Sequence, residues 1–227
     1  MRRPALALLL GCLLLVAGVS ALDGYDYYQT IEYAACDQEI YQQDIVIHRT
    51  TGTAYNETAG GLETWHIYVG DHCREDYGDV RFTDSTGAEL AYYLWPDCTS
   101  SSARFCVRLE GADAAGDLLV WYGNPSATTT SDGDTTYHFF DQFDGTSVDS
   151  TKWNMVGTPT VSDSNVTVNA SNEEIKSKQS FGAGTILEGK GSLWNANYHI
   201  FIYGCGLCAT GVPCESGIPA ALLKKRK

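Results

Sequence analysis

Positive charge is scarce in this 227-residue chain, where 15 lysines and arginines face 28 aspartates and glutamates and the net charge is −13. That scarcity excludes a phosphate-backbone binder, which would need basic side chains to displace the counterions of a nucleic acid. Long apolar runs are also missing, apart from one near the start between Ala5 and Gly18. Beyond that run no segment sustains a 3.6-residue period, so helices are not the building material. The histidines His48, His66, His72, His138 and His199 show no two- or four-residue ligand spacing, and no Gly-x-Ser-x-Gly elbow occurs. Zinc-hydrolase and serine-hydrolase signatures are therefore absent.

The one apolar run has a specific form. Met1-Arg2-Arg3 is a basic cap, and Val19-Ser20-Ala21 closes the run with small residues at the positions signal peptidase reads. Residues 1–21 are expected to be a secretory signal peptide. The run is short for a membrane span of about 20 residues, so no transmembrane span is expected after cleavage. Losing Arg2 and Arg3 takes the charge from −13 to −15, and setting aside Lys224-Lys225-Arg226-Lys227 leaves −19 on the body. Such a body suits a secreted or extracellular cell-surface location. An exported chain reads its cysteines as disulfide partners before metal ligands. Of eight, Cys12 leaves with the signal. Cys36, Cys73, Cys98 and Cys106 in the first half allow three connectivities, of which Cys98–Cys106 with Cys36–Cys73 is preferred. Cys205, Cys208 and Cys214 make the total odd, so one cysteine stays unpaired or joins another chain.

Short alternating runs fill the region from Leu22 to about Tyr122. Ile45-Val46-Ile47, Trp65/Ile67/Val69, Val80/Phe82, Leu90/Tyr92/Leu94 and Phe105/Val107/Leu109 each put apolar residues on one face, and Leu118 to Tyr122 closes the series. About six strands separated by Gly, Asp, Ser and Thr turns predict an antiparallel β-sandwich. Asp84-Ser85-Thr86-Gly87 reads as a turn, and Gly123-Asn124-Pro125 as a strand terminator. The polar stretch after it, residues 126–136, reads as a linker.

The motif from Asp79 to Leu90 (DVRFTDSTGAEL), followed by Val120 to Ala127 (VWYGNPSA), resembles an uncharacterised exported β-domain family of archaeal and bacterial surface proteins. That family commonly precedes a concanavalin A-like lectin or glucanase domain, and the resemblance covers about Gln42 to Asp141. Phe139 to Gly145 (FFDQFDG), with Asp149-x-x-x-Trp153, is similar to the opening of such a domain, including laminarinase-type glycoside hydrolases. The resemblance implies an all-β chain: residues 22–125 a β-sandwich, and 137–227 a partial, truncated jelly-roll ending in a divergent tail. Strands are expected at Val166-Thr167-Val168, Glu174 to Lys178 and Thr185 to Glu188. Laminarinase-type enzymes carry Glu-x-Asp-x-x-Glu, and this chain does not. No catalytic residues are therefore assigned, and the chain is read as no enzyme.

Two further constellations stand out. Asp132, Asp134, Asp141 and Asp144 could offer oxygens to calcium, which takes six to eight of them, although the remainder of an EF-hand loop is missing. Asn56, Asn165 and Asn169 begin N-glycosylation sequons. Trp95, Trp121 and Trp153 could stack on sugar rings but are read first as core. The function expected is a non-catalytic cell-surface module for binding or display, carbohydrate-binding or adhesive, with carbohydrate or another envelope protein as partner. The alternatives are an inactive fragment of a secreted glycan hydrolase and a structural envelope component.

Overall fold

The computed structural model describes residues 21–33, 35, 40–59, 62–110, 115–169 and 172–181. The expected signal segment up to residue 20, Cys36, the strand at 185–188, His199, the C-terminal cysteines and the basic end fall outside the described residues. The chain separates into two compact units, the first ending at Phe140 and the second beginning at Asp141.

The first unit is a β-sandwich. β1 (Tyr27–Tyr33), β8 (Gly116–Tyr122) and β5 (Arg81–Asp84) form a three-stranded antiparallel sheet in that order. The facing sheet has the order β3 (Tyr55–Ala59), β4 (Leu62–Tyr68), β2 (Ile40–His48), β7 (Ser102–Glu110), β6 (Tyr92–Leu94). The alternation read in the sequence sets the inner faces. Ile45, Ile47, Ile67, Phe105, Val107, Leu109 and Tyr92 from the larger sheet meet Ile31, Phe82, Leu118 and Val120 from the smaller one. Phe82 packs edge-on against both Tyr92 (5.2 Å) and Phe105 (5.3 Å) at its centre. Each such buried side chain contributes about 1.5–3 kcal/mol by leaving water.

Three differences from the sequence expectation have physical causes. β1 and β3 were not among the six expected strands. β1 buries little besides Ile31, and all five residues of β3 are exposed, so neither carries an apolar alternation. Next, β2 and β4 pair in parallel, while every other pairing in the sandwich is antiparallel. The chain reverses through β3 and returns with β4 inserted between β3 and β2. Finally, residues 126–136 lie on the sandwich. Arg74 donates to the carbonyls of Pro125 and Ala127, Leu94 N–H to Ser131 Oγ, and Asp132 N–H to the Tyr92 carbonyl. Those bonds lay the segment along β6, the edge strand of the larger sheet. α1 (Gly133–Thr136) follows, capped by the Asp132 side chain accepting from Thr135 N–H.

The Cys98–Cys106 bridge does not form, and no disulfide occurs among the described residues. The register of β6 against β7 pairs Tyr93 with Cys106, and its continuation sets Cys98 opposite Ser101. Five strand positions at about 3.3 Å each separate Cys106 from that point. A disulfide spans only about 4.4–6.8 Å between Cα atoms.

The second unit contains two antiparallel pairs among its described residues: β9 (Trp153–Val156) with β12 (Glu174–Ser177), and β10 (Thr160–Ser162) with β11 (Asn165–Thr167). β11 and β12 fall where strands were expected. Asp163 and Ser164, both with positive φ, make the tight turn of the second pair. The fold class is all-β. No helix among the described residues is long and apolar enough to cross a membrane.

Candidate functional site

The outward face of the five-stranded sheet carries a row of stacked rings. Because β2 runs parallel to β4, His48 lies beside Tyr68 and Val46 beside His66. His48 therefore reaches two β4 rings, stacking on Tyr68 at 4.6 Å and on His66 at 5.3 Å. On the other side of β4, Tyr55 of β3 pairs with His66, and their rings are parallel at 4.5 Å. The ladder thus runs Tyr55, His66, His48, Tyr68. Its inner end is closed by Gly52, where a Cβ would stand 2.4 Å from the Tyr68 ring, so only glycine fits. Its outer end is Tyr55, 44% exposed on an edge strand.

A hydrogen bond of 3.0 Å joins His48 Nε2 to His66 Nδ1, so one imidazole donates and the other accepts. Glu57 lies 3.4 Å from His66 Nε2, an electrostatic contact without hydrogen-bond alignment. Further along the face, Asp44 accepts from Arg104 at 2.6 Å, and the same guanidinium sits 4.7 Å over the Trp95 ring. Burial and the neighbouring His66 lower the pKa of His48 below its ordinary 6.5. In the unfolded chain His48 takes up a proton near that ordinary value; in the fold it resists. Its contribution to stability is complete above about pH 6.5 and is lost as the pH falls through the lower folded value. Ring-proton NMR should show His48 titrating below a peptide histidine, and the urea midpoint should fall on acidification from pH 7. An ordinary His48 titration would contradict the ladder.

A second polar centre lies at the β5 end of the smaller sheet. Asp79, 1% exposed, accepts from Cys73 Sγ at 3.3 Å, Arg74 N–H at 3.0 Å and Gly123 N–H at 2.9 Å. Gly123, with φ +89°, begins the strand terminator read in the sequence. Burial, then the charge of Asp79, pushes the Cys73 thiol far above its usual range. A buried thiol held protonated is a poor nucleophile. An alkylating reagent should therefore label exposed Cys98 rapidly in the native protein and leave Cys73 unlabelled until denaturant is added. Labelling of Cys73 at the Cys98 rate would contradict this placement.

The other sequence-selected residues serve turns and caps. Asp132 caps α1 and Asp134 lies in its first turn. Asp141 accepts from Phe143 N–H (2.8 Å) and Trp153 Nε1 (2.6 Å), and Asp144 from Gln142 (3.3 Å). No group of three or more His, Cys, Asp or Glu side chains converges as a metal site among the described residues. Asn56 is exposed on β3 and donates to Glu63 at 2.6 Å, Asn165 opens β11 and donates to the Asp163 carbonyl, and Asn169 is exposed beyond it. Trp121 is buried and donates to Thr83 Oγ1 at 2.9 Å. The His48–His66 pair escaped the sequence reading because 18 residues separate its members. Only the parallel pairing of their strands brings them together.

Comparison with known proteins adds one finding. Residues 76–156 match a family model described as a domain of unknown function, DUF2341. The matched stretch begins three residues before Asp79 and ends with β9. It holds the Asp79 to Leu90 motif and the aromatic–acid stretch from Phe139 to Gly145. It therefore supports the resemblance to an uncharacterised domain family, and its description carries no activity. No curated protein and no solved structure matches the chain.

Proposed function

We propose that this chain is an exported, non-catalytic cell-surface module that binds or displays, with carbohydrate as its ligand class. The observation that carries this reading is the ring-bearing outer face of the five-stranded sheet, fixed on a rigid sandwich. The use made of the acids supports it further. Asp79, Asp84, Asp132, Asp141 and Asp149 all accept bonds from neighbouring backbone N–H groups, which makes them architectural rather than a poised acid–base pair. The Phe139 to Gly145 stretch and the antiparallel β9–β12 and β10–β11 pairs after it support the start of a concanavalin A-like fold. A glycan array tests the reading: sugar binding without hydrolysis is the expected result. Release of reducing sugar from a β-glucan by the pure protein would overturn it. No response to any glycan, together with co-purification alongside envelope protein, would replace it with a structural role.

A further inference from the structure

We infer that the open end of the ring ladder, Tyr55 with Glu57 and His66 beside it, is a binding subsite for a hexopyranose residue of a neutral glycan. This assignment rests on the carbohydrate reading and places its contact.

The Tyr55 ring is held before any ligand arrives. One face is stacked parallel on His66 at 4.5 Å, and His66 is fixed in turn by the 3.0 Å bond to His48. The ladder behind is closed by Tyr68 against Gly52. An immobilised ring loses little conformational entropy on binding. Its second face lies at the outer margin of edge strand β3, beyond which no strand follows among the described residues, and the residue is 44% exposed. An open aromatic face takes the C–H face of a pyranose ring, and a stacked sugar then needs polar partners for its rim hydroxyls.

Those partners are adjacent. Glu57 follows Tyr55 by two residues and so projects on the same side of β3. Its side chain is 58% exposed, with an acceptor carboxylate beside His66. Asn56 and Thr58 project to the opposite side, so a glycan attached at the Asn56 sequon would leave the Tyr55 face clear. Charge selects the ligand further. A chain at −13, with Glu57 at the subsite itself, repels acidic polysaccharides and nucleic acids. A polyol offers donors to Glu57 and an apolar face to Tyr55 together.

The test is titration calorimetry of the full chain with laminarin and cello-oligosaccharides, comparing wild type, Tyr55→Ala, Tyr55→Trp and Glu57→Gln. All three substitutions lie on an exposed edge, and unchanged thermal melting would show that the sandwich is intact. Binding is expected to weaken about tenfold in Tyr55→Ala, the equivalent of one lost aromatic stack, and to survive in Tyr55→Trp. Glu57→Gln should weaken it less. A wild type that binds and a Tyr55→Ala variant that binds equally would overturn this subsite while leaving the carbohydrate reading in place. A wild type that binds neither these glycans nor any on the array would overturn both.

Discussion

Asp79→Ala is expected to lower the unfolding free energy by about 2–4 kcal/mol, read as a drop in urea midpoint at unchanged slope. The carboxylate is 1% exposed and joins the Cys73-Arg74 turn, five to six residues before it, to Gly123 after β8, 44 residues on. Alanine cannot accept a bond, so the Arg74 and Gly123 N–H groups lose their partner. Each buried donor left unpaired costs about 1–3 kcal/mol, partly offset because a buried charge no longer has to be desolvated. Asp79→Asn keeps one acceptor oxygen but turns a donor toward a donor, so an intermediate loss is expected. The thiol supplies an independent readout. With Asp79 gone, Cys73 should become accessible to alkylation at denaturant concentrations that leave wild type unlabelled. A variant as stable as wild type, with Cys73 still protected, would show that Asp79 is dispensable.

Asp79 also shows how far a sequence can be read. The DVRFTDSTG motif was legible as a turn because its chemistry is local. Asp84 accepts from Thr86 and Ala88, and Gly87 takes φ +89°, all within four residues. The inward faces of β2, β4, β5 and β7 were legible for the same reason, since a period of two is written along each strand. Asp79 reaching Gly123, and His48 reaching His66, were not legible. Both depend on strand order, which no local pattern encodes. β3 was invisible because an edge strand that buries nothing has no apolar signature. Its exposed Tyr55 is nevertheless where the candidate subsite lies. Trp95, Trp121 and Trp153 were the aromatic candidates, and two of the three donate their indole N–H to partners inside the structure. Tyr55, one of three tyrosines that sit in the open among the described residues, belongs to a strand with no pattern.

The 126–136 stretch is the clearest case of composition misleading, and Arg81 gives it a test. Ser, Thr, Gly and Asp in succession read as a linker because such residues solvate a backbone well. They also hydrogen-bond well to a sheet edge. Arg81, 7% exposed, donates to the carbonyls of Gly78 (3.2 Å), Val80 (2.6 Å) and Thr128, and to Tyr92 Oη (3.2 Å). The Tyr92 hydroxyl in turn accepts from Thr130 N–H at 3.1 Å and meets Thr129 Oγ1 at 3.3 Å. The guanidinium therefore ties β5 of one sheet, β6 of the other and the supposed linker at a single point. Arg81→Met keeps the side chain's length and apolar stem but removes every one of those donors. An overall loss of about 2–4 kcal/mol is expected, in the range for a buried hydrogen-bonded network. Lysine should not rescue it, because a single ammonium cannot match the planar fork that spans these acceptors. The local effect is more diagnostic. Residues 126–131 contain no lysine or arginine, so proteinase K rather than trypsin is the probe, followed by mass analysis of the fragments. Wild type should resist cleavage there until it unfolds globally, whereas Arg81→Met should be cut between 126 and 131 under native conditions. Cleavage of wild type in that stretch at the same rate would restore the linker, and the clasp would then contribute nothing to holding the first unit closed. Resistance would mean that the last polar segment before Phe140 is part of the sandwich itself.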